Sequence, residues 1–269
     1  MKQRKILALA LCILMVIAFT ACTSAPTNGD VAVTPFEKHF MPYPDGLDLF
    51  ASGATSYDSM GDHFDSPYWK PLDVYNLVPT ANLSIIPNFE TYQQSTEYSC
   101  GAVSSLMVLN YFGVKDYEEL VLCQMGDVSE NTGVGVTGVS KIFTGLGWNV
   151  ETNRDGNYEF DPYSALDDPN NFTSWVRGNL DAGTPIMVDW LDWAGHWQVI
   201  IGYDTMGTDD NFGDDVIIVA DPYDTSDHYQ DGYFTIPAER FFYMWMEAPG
   251  LYSGEAPEEQ PWVIATPAD

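Results

Sequence analysis

Basic residues are scarce in this chain, and histidine and cysteine are too. Lysine and arginine together number 10 against 39 aspartates and glutamates, which gives a formal net charge of −29 at pH 7. Such a charge repels the phosphate backbone of DNA and RNA, so it argues against a nucleic-acid partner. With only four histidines and four cysteines, few side chains are available for acid–base or nucleophilic chemistry.

Long hydrophobic runs are absent except for one at the N-terminus. Ile6–Ala21 is uninterrupted, follows three basic residues and ends at Cys22. The run is short for a membrane span and is typical of a signal peptide. The letters F-T-A-C resemble the lipobox of bacterial lipoproteins, which predicts removal of the signal peptide before Cys22, lipidation of Cys22 and an extracytoplasmic, membrane-anchored protein. The alternatives are an ordinary secretory signal cleaved near Ala21 and an uncleaved anchor.

The stretch Gln94–Gly113 predicts a buried helix that begins with a cysteine. Ser99 is a suitable N-cap, Gly113 is a suitable stop, and apolar side chains point in nearly every direction between them. A thiol in the first turn of such a helix meets unpaired N–H groups and the positive end of the helix dipole, which favour the thiolate. Cys100 is therefore a candidate nucleophile, and the alternative is a small buried hydrophobic residue.

Three further residues complete a possible active site. Gln94 stands six residues before Cys100, where its amide can donate a hydrogen bond to a developing oxyanion. His196 heads an apolar run that predicts a strand, and Asp221 follows the end of the next predicted strand. The chain thus presents glutamine, cysteine, histidine and aspartate in that order.

At these residues the chain resembles the papain-like cysteine peptidases, and within them the bacteriocin-processing peptidases that cut double-glycine leaders. The resemblance covers Ile85 to Trp245 and rests on Gln94-x5-Cys100-Gly101-Ala102, Gly195-His196-Trp197 and Val219-Ala220-Asp221-Pro222. It implies that Cys100 is the nucleophile, His196 the general base and acid, Asp221 the group that orients the imidazole, and Gln94 the oxyanion donor. An acidic insertion at Thr205–Asp215 departs from the family pattern.

The order of the predicted elements indicates an α+β fold, with a nucleophile helix packed on an antiparallel sheet. The predicted helices are the Cys100 helix, Thr137–Leu146, Thr173–Asp181 and Ala238–Trp245, and the predicted strands are Ile186–Trp190, Trp197–Tyr203, Val216–Ala220 and Tyr233–Ile236. We expect a catalytic domain at 85–247, preceded by a spacer and surface-packed extension at 23–84. A tail at 248–269 follows, with a short strand at Trp262–Ala265.

Two patterns that suggest ligand sites do not have the required context. Gly133–Gly138 matches G-x-G-x-x-G, but the segment before it is helical and polar rather than a strand, so these glycines are expected to shape a loop entering a helix. The aspartate-rich stretches Asp204–Asp215 and Asp224–Gly232 lack the spacing of a calcium-binding EF-hand. The sequence therefore predicts no cofactor and no metal. Three tryptophans flank His196 and either line the cleft or pack in the core: Trp190, Trp193 and Trp197.

After export, Cys100 and Cys123 are the cysteines expected in the folded domain, with Cys123 a buried residue of a helix. A disulfide between them suits an oxidising compartment, and it would remove the nucleophile and favour a non-catalytic surface binding module. With Cys100 free, the sequence predicts a lipid-anchored thiol hydrolase, a cysteine peptidase that acts on peptide or protein substrates through an acyl-enzyme. An acyltransferase would use the same residues.

Overall fold

A computed structural model describes residues 66–70, 72–154, 169–208, 211–247 and 258–268. The predicted signal peptide, Cys22 and most of the 23–84 extension lie outside the described residues. In the part of the chain that is described, no helix is both long and apolar enough to cross a membrane.

Five helices and nine strands make up the described ranges. In chain order they are β1 Leu83–Ile85, α1 Cys100–Tyr111, α2 Glu119–Met125, α3 Val136–Gly145, β2 Asn149–Thr152, α4 Pro169–Asp181, β3 Ile186–Trp190, β4 His196–Asp204, β5 Val216–Ala220, β6 Tyr233–Pro237, α5 Ala238–Met244, β7 Met246–Glu247, β8 Glu258–Glu259 and β9 Trp262–Thr266. Short 3₁₀ turns at Asp192–Ala194 and Phe212–Asp214 lead into β4 and β5. The predicted α+β class is confirmed.

Seven strands form one antiparallel sheet in the order β2-β9-β3-β4-β5-β6, with β1 paired to the far end of β4. The central strand β4 pairs with β3 on one side and β5 on the other, where Val199 lies opposite Ala220. Because β4 and β5 run in opposite directions, the start of β4 and the end of β5 lie at the same end of the sheet. This register carries His196 and Asp221 to one place in the fold.

Helix α1 is buried over nearly its whole length, which confirms the predicted internal helix. Every residue from Cys100 to Asn110 is buried, and Gly113 follows the helix at φ +86°, a left-handed conformation suited to glycine. The Ser104 hydroxyl donates to the Trp197 carbonyl on β4 at 3.1 Å. Packing against the sheet therefore determines where the first turn of α1, and with it Cys100, is placed.

Gly101 permits the close approach of α1 to its neighbours. A Cβ atom at this position would lie 2.4 Å from Cγ1 of Val134 and 3.2 Å from Cδ1 of Trp197. Both contacts are shorter than an ordinary van der Waals distance, so any larger residue would push the N-terminus of α1 away from β4. The glycine after Cys100 thus has a packing role beside the cleft.

The other predicted elements are present with small differences in their ends. The strands Ile186–Trp190 and Val216–Ala220 are observed as predicted, and the remaining helices and strands begin or end within a few residues of the expected positions. The loop that enters α3 contains Gly133 and Gly135, after helix α2 and a turn, while Gly138 lies in the first turn of α3. A Cβ at Gly138 would lie 2.5 Å from the Gly126 carbonyl oxygen, so this glycine allows α3 to pack on the end of α2.

The C-terminal strand lies inside the sheet. β9 is placed between β2 and β3, with Val188 opposite Trp262 and Val150 opposite Ala265. Trp262, Val263 and Ala265 are fully buried. The predicted boundary between a domain at 85–247 and a tail at 248–269 therefore divides residues that the structure joins in one sheet.

Candidate active site

His196 and Asp221 form a buried pair where β4 begins and β5 ends. Nε2 of His196 lies 2.7 Å from Oδ1 of Asp221, and both side chains are almost fully buried. His196 is the first residue of β4, and Asp221 follows the last residue of β5. Since Nε2 is engaged with Asp221, the ring presents Nδ1 on its other side.

Further hydrogen bonds hold the Asp221 carboxylate in place. Oδ1 also accepts from the backbone N–H of Tyr223 at 2.8 Å, and Oδ2 accepts from Nε2 of Gln198 at 2.9 Å. Gln198 lies two residues after His196 and therefore shares its face of β4. With every acceptor oxygen directed by a donor, the carboxylate has one orientation from which to align the imidazole.

Cys100 is the third member of this buried group. It is the first residue of α1, its thiol is free, and its interaction with the imidazole is one of the causes that raise the pKa of His196. Burial disfavours the imidazolium, but the charge and hydrogen bond of Asp221 and the interaction with Cys100 outweigh it. The pKa of His196 is therefore raised well above its ordinary value of 6.5. The arrangement stabilises a protonated imidazole beside the sulfur.

Gln94 is tied to the turn after β5, and it makes no hydrogen bond with Cys100. Its backbone N–H donates to the carbonyl of Pro222 at 2.7 Å, which ties it to the residue after Asp221. Its side-chain Nε2 donates to the Thr96 carbonyl at 2.7 Å, and its buried Oε1 has no partner among the described residues. A primary amide carries two N–H groups, so one donor remains for a substrate.

Gln93 links the segment before α1 to the turn after β5. Its Nε2 donates to the Asp221 carbonyl at 2.9 Å, and its Oε1 accepts from the backbone N–H of Asp224 at 3.1 Å. The buried Asp224 carboxylate in turn accepts from the backbone of Ser226 and Gly232. Burial, with the nearby charges of three other aspartates, raises the pKa of Asp224 well above its usual range.

Of the three tryptophans near His196, only Trp193 is exposed at the site. Its ring centroid lies 5.2 Å from that of His196 and 5.2 Å from that of Tyr223, and the side chain is 60% exposed. Trp193 and Ala194 adopt φ values of +51° and +78°, which residues other than glycine rarely do. Backbone strain of this kind often accompanies functional sites.

Trp190 and Trp197 belong to the core. Trp190 stacks on Phe241 at a centroid separation of 6.0 Å, and Nε1 of Trp197 donates to the Val134 carbonyl at 2.7 Å. Both side chains are buried. The interpretation of the three tryptophans as cleft residues therefore applies to Trp193 alone.

Cys123 lies on α2 and is buried, as predicted. Both Cys100 and Cys123 are free thiols, so the structure contains no disulfide between them. Burial, together with the negative charges of Glu119 and Cys100, raises the pKa of the Cys123 thiol to about 12. Cys123 therefore stays protonated at any ordinary pH.

The aspartate-rich turns use their oxygens to fold the chain. Asp227 accepts from the backbone N–H of Tyr229, and Asp231 accepts from that of Tyr233. Among the described residues, no three histidine, cysteine, aspartate or glutamate side chains come close enough to hold a metal ion. The carboxylates of this region thus act as acceptors for backbone donors.

Sequence reasoning missed three side chains that support the site: Gln93, Gln198 and Glu119. A signal was present for Gln198, because residues two apart on a strand share a face. Glu119 could have been recognised from its spacing to Leu122 and Cys123, since residues three and four apart share a helix face and both of these are buried. Gln93 carries no signal that separates it from its neighbour Gln94.

Comparison with known proteins finds a family and solved structures that are similar to this chain. The Peptidase_C39 like family matches residues 86–248 of the chain. No curated protein matches it. One similar solved structure is the peptidase domain of Streptococcus ComA, a bifunctional ABC transporter involved in quorum sensing, with 17% identity, 67% of this chain and 99% of that chain covered, and a TM-score of 0.42. Another is a double glycine motif protease from an AMS/PCAT transporter in complex with the leader peptide, with 18% identity, 70% of this chain and 96% of that chain covered, and a TM-score of 0.41. A third is a putative C39-like peptidase from Bacillus anthracis, with 14% identity, 69% of this chain and 98% of that chain covered, and a TM-score of 0.42.

Proposed function

We propose that this chain, which belongs to the Peptidase_C39 like family, is a cysteine peptidase that cleaves peptide bonds through an acyl-enzyme. The observation that carries the proposal is the buried group of Cys100, His196 and Asp221, in which Asp221 hydrogen-bonds to His196 and Cys100 interacts with the same ring. A nucleophile, a base within hydrogen-bonding distance and a third group that orients the base are the parts that covalent catalysis requires.

Acylation begins with the sulfur of Cys100. The attacking species is the Cys100 thiolate with the proton on His196, whose protonated form the Asp221 carboxylate favours. The thiolate attacks the substrate carbonyl carbon, a C–S bond forms, and the carbonyl oxygen becomes negatively charged. The imidazolium then gives its proton to the leaving amine as the C–N bond breaks. A thioester on Cys100 remains.

Deacylation reverses the proton transfer. Neutral His196 takes a proton from water, whose oxygen attacks the thioester, and the C–S bond breaks as the acid product leaves. Asp221 keeps the same ring orientation through both steps by its hydrogen bond to Nε2. An acyltransferase would differ only in replacing this water with another acceptor.

Gln94 is proposed as a donor to the oxyanion. Its amide is buried beside the Asp221–Pro222 turn, one N–H is used by Thr96, and the second is available. A donor held in place by the fold stabilises negative charge that develops only in the transition state. Its effect should therefore appear in the rate of acylation and not in substrate binding.

The proposed substrates are peptides or proteins outside the cytoplasm. The family assignment supports the substrate class, and the apolar run before Cys22 supports export and lipid anchoring. The free thiols of Cys100 and Cys123 favour a peptidase over a binding module whose cysteines are oxidised.

Substitutions at the proposed site test the chemistry. We expect Gln94→Ala to lower the acylation rate by roughly 10²–10³ while leaving substrate binding unchanged, the usual effect of removing one oxyanion donor. Cys100→Ala should abolish acyl-enzyme formation, and Asp221→Ala should slow it by misorienting His196. Single-turnover rates with a thioester or a peptide anilide, measured beside thermal melts, are the readout. Unchanged rates in Gln94→Ala and His196→Ala, or no acylation of the wild type by any reactive ester, would refute the peptidase proposal.

Lipid anchoring is tested separately. Cells that express the full chain should incorporate radiolabelled palmitate into the protein, and Cys22→Ala should abolish incorporation and release the protein from the membrane. Retention and processing that are the same in Cys22→Ala as in the wild type would show that the signal is not a lipoprotein signal.

A further inference from the structure

Glu119 is a buried carboxylate that takes no part in the proposed proton transfers. It is the first residue of α2 and is fully buried, while its neighbour Glu118 is exposed. Burial raises its pKa, and the hydrogen bonds from Ser95 and Ser99 oppose that shift. An unpaired buried carboxylate costs several kcal/mol by order of magnitude, so its partners must repay that cost.

The hydrogen-bond partners of Glu119 lie in the short connection between Gln94 and Cys100. Both carboxylate oxygens accept from the backbone N–H of Ser95, at 3.0 and 3.2 Å, and Oε1 also accepts from the Ser99 hydroxyl at 2.5 Å. The Ser99 oxygen accepts in turn from the hydroxyl of Thr96 at 2.6 Å. One side chain from α2 therefore holds both ends of this connection.

The same network reaches the amide of Gln94. Its Nε2 donates to the carbonyl of Thr96, whose hydroxyl is bound to Ser99. Thr96 thus connects two hydrogen bonds, since its hydroxyl binds the Ser99 that donates to Glu119 and its carbonyl accepts from the proposed oxyanion donor. Movement of Glu119 would release Thr96 and, with it, the orientation of the Gln94 amide.

Glu119 also changes what Ser99 does. Ser99 occupies the N-cap position of α1, but no side chain caps the helix. A serine in this position ordinarily accepts a hydrogen bond from a first-turn N–H group. Here its hydroxyl is directed to Glu119 instead, so the first-turn N–H groups that flank Cys100 are not covered by a cap.

We propose that Glu119 is a positioning residue for oxyanion stabilisation: it fixes the Gln94–Cys100 connection and withdraws the Ser99 hydroxyl from the start of α1. The inference rests on the proposed peptidase function. Glu119 touches neither substrate nor reacting atoms, and it acts by keeping Gln94 and the first turn of α1 in the arrangement that receives the oxyanion. Preorganised donors lose much of their effect when they shift by as little as about 1 Å.

Glu119→Gln, compared with Glu118→Gln, is the test. Each variant removes one negative charge, and the two positions are adjacent. Only at 119 does the new NH₂ group meet two hydrogen-bond donors, the Ser95 N–H and the Ser99 hydroxyl, to which it cannot serve as acceptor. We expect Glu119→Gln to slow single-turnover acylation by a thioester by roughly 10-fold to 10²-fold, with KM nearly unchanged, and Glu118→Gln to match the wild type.

Alkylation separates positioning from general damage. Iodoacetamide reacts with the Cys100 thiolate by displacing iodide and forms no oxyanion, so its rate should be the same in Glu119→Gln as in the wild type. Loss of acylation together with an equal loss of alkylation would mean that Glu119 only maintains the structure around Cys100, and the inference would fail. Equal acylation rates in the two glutamine variants would overturn it as well.

A second variant covers the case in which Glu119→Gln does not fold. Ser99→Ala removes one hydrogen-bond donor to Glu119 and leaves the carboxylate bound to the Ser95 N–H. We therefore expect slower acylation, with alkylation of Cys100 at the wild-type rate. Wild-type acylation in Ser99→Ala would then contradict the inference. Absence of acylation in the wild-type protein would instead refute the peptidase proposal, which keeps the two failures distinct.

Discussion

Cys100 and Cys123 are both buried thiols with opposite electrostatic surroundings. Cys100 interacts with His196, a ring whose raised pKa favours the positively charged form. Cys123 has no such partner; burial and the nearby negative charges raise its pKa to about 12. The identity of the nearest ionisable group, more than exposure, separates the two in reactivity.

This difference predicts selective alkylation. At pH 6, iodoacetamide should modify Cys100 and leave Cys123 unmodified, because a thiol with a pKa of about 12 has almost no thiolate at that pH. The rate at Cys100 should fall strongly in His196→Ala and be unchanged in Cys123→Ser. Peptide mass mapping after timed labelling is the measurement, and equal, slow labelling of the two cysteines would contradict the assignment of Cys100 as nucleophile.

At the scale of elements, the site depends on how closely α1 approaches β4. The start of α1 carries Cys100 and the start of β4 carries His196. On α1, Gly101 faces Trp197 of β4 and Val134, with no room for a Cβ atom. Helix α4 offers a contrast, since Gly178 is exposed and a Cβ there would meet nothing within 4 Å. The two helical glycines thus have opposite packing requirements.

The contrast predicts opposite effects of the same substitution. Gly101→Ala should lower the free energy of unfolding by about 1–3 kcal/mol through overpacking against Val134 and slow the labelling of Cys100 as α1 moves from β4. Gly178→Ala should raise the free energy of unfolding by about 0.5–1 kcal/mol, since alanine favours the helix. Urea denaturation of both variants gives these values. A Gly101→Ala protein as stable and reactive as the wild type would show that the close approach is unimportant.

At the scale of the whole molecule, the buried His196–Asp221 pair links protonation to stability. His196 binds its proton more tightly in the folded protein than in the unfolded chain, because the folded-state pKa is raised above 6.5. Its contribution to stability is therefore fully present below the unfolded pKa and is lost as pH rises through the folded pKa. The Cys100 thiol also acts on this ring, so the contribution of His196 and Asp221 to stability is measured in a variant that lacks the thiol.

In Cys100→Ala we expect the free energy of unfolding to fall as pH rises above about 6.5, because the unfolded chain then releases a proton that folded His196 retains. Adding Asp221→Asn should remove most of this slope, since the carboxylate is the main cause that raises the pKa. Chemical denaturation at a series of pH values, corrected for the slope of the double variant, measures the difference. A slope of opposite sign would show that burial outweighs the carboxylate and that His196 is neutral.

The sequence by itself determined the elements that carry the site and the candidate chemistry. Local patterns sufficed for the all-apolar α1, for strands β3 and β5, and for the positions of Cys100, His196 and Asp221 at the ends of elements, since each signal lies within a few residues. The loop interpretation of Gly133–Gly138 likewise followed from what precedes it. Periodicity and capping are short-range properties, so they can be found in one chain without knowledge of its partners.

Only the tertiary structure decided which segments meet. Local sequence predicts a strand at Trp262–Ala265, but not that it inserts between β2 and β3, because backbone hydrogen bonding does not depend on which strand is the partner. The same holds for Trp193, which is exposed while Trp190 and Trp197 are buried, and for Glu119, which is buried at the start of α2 while the preceding Glu118 is exposed. Pairing, burial and the partners of a buried charge depend on contacts between residues far apart in the chain, and those contacts exist only once the chain has folded.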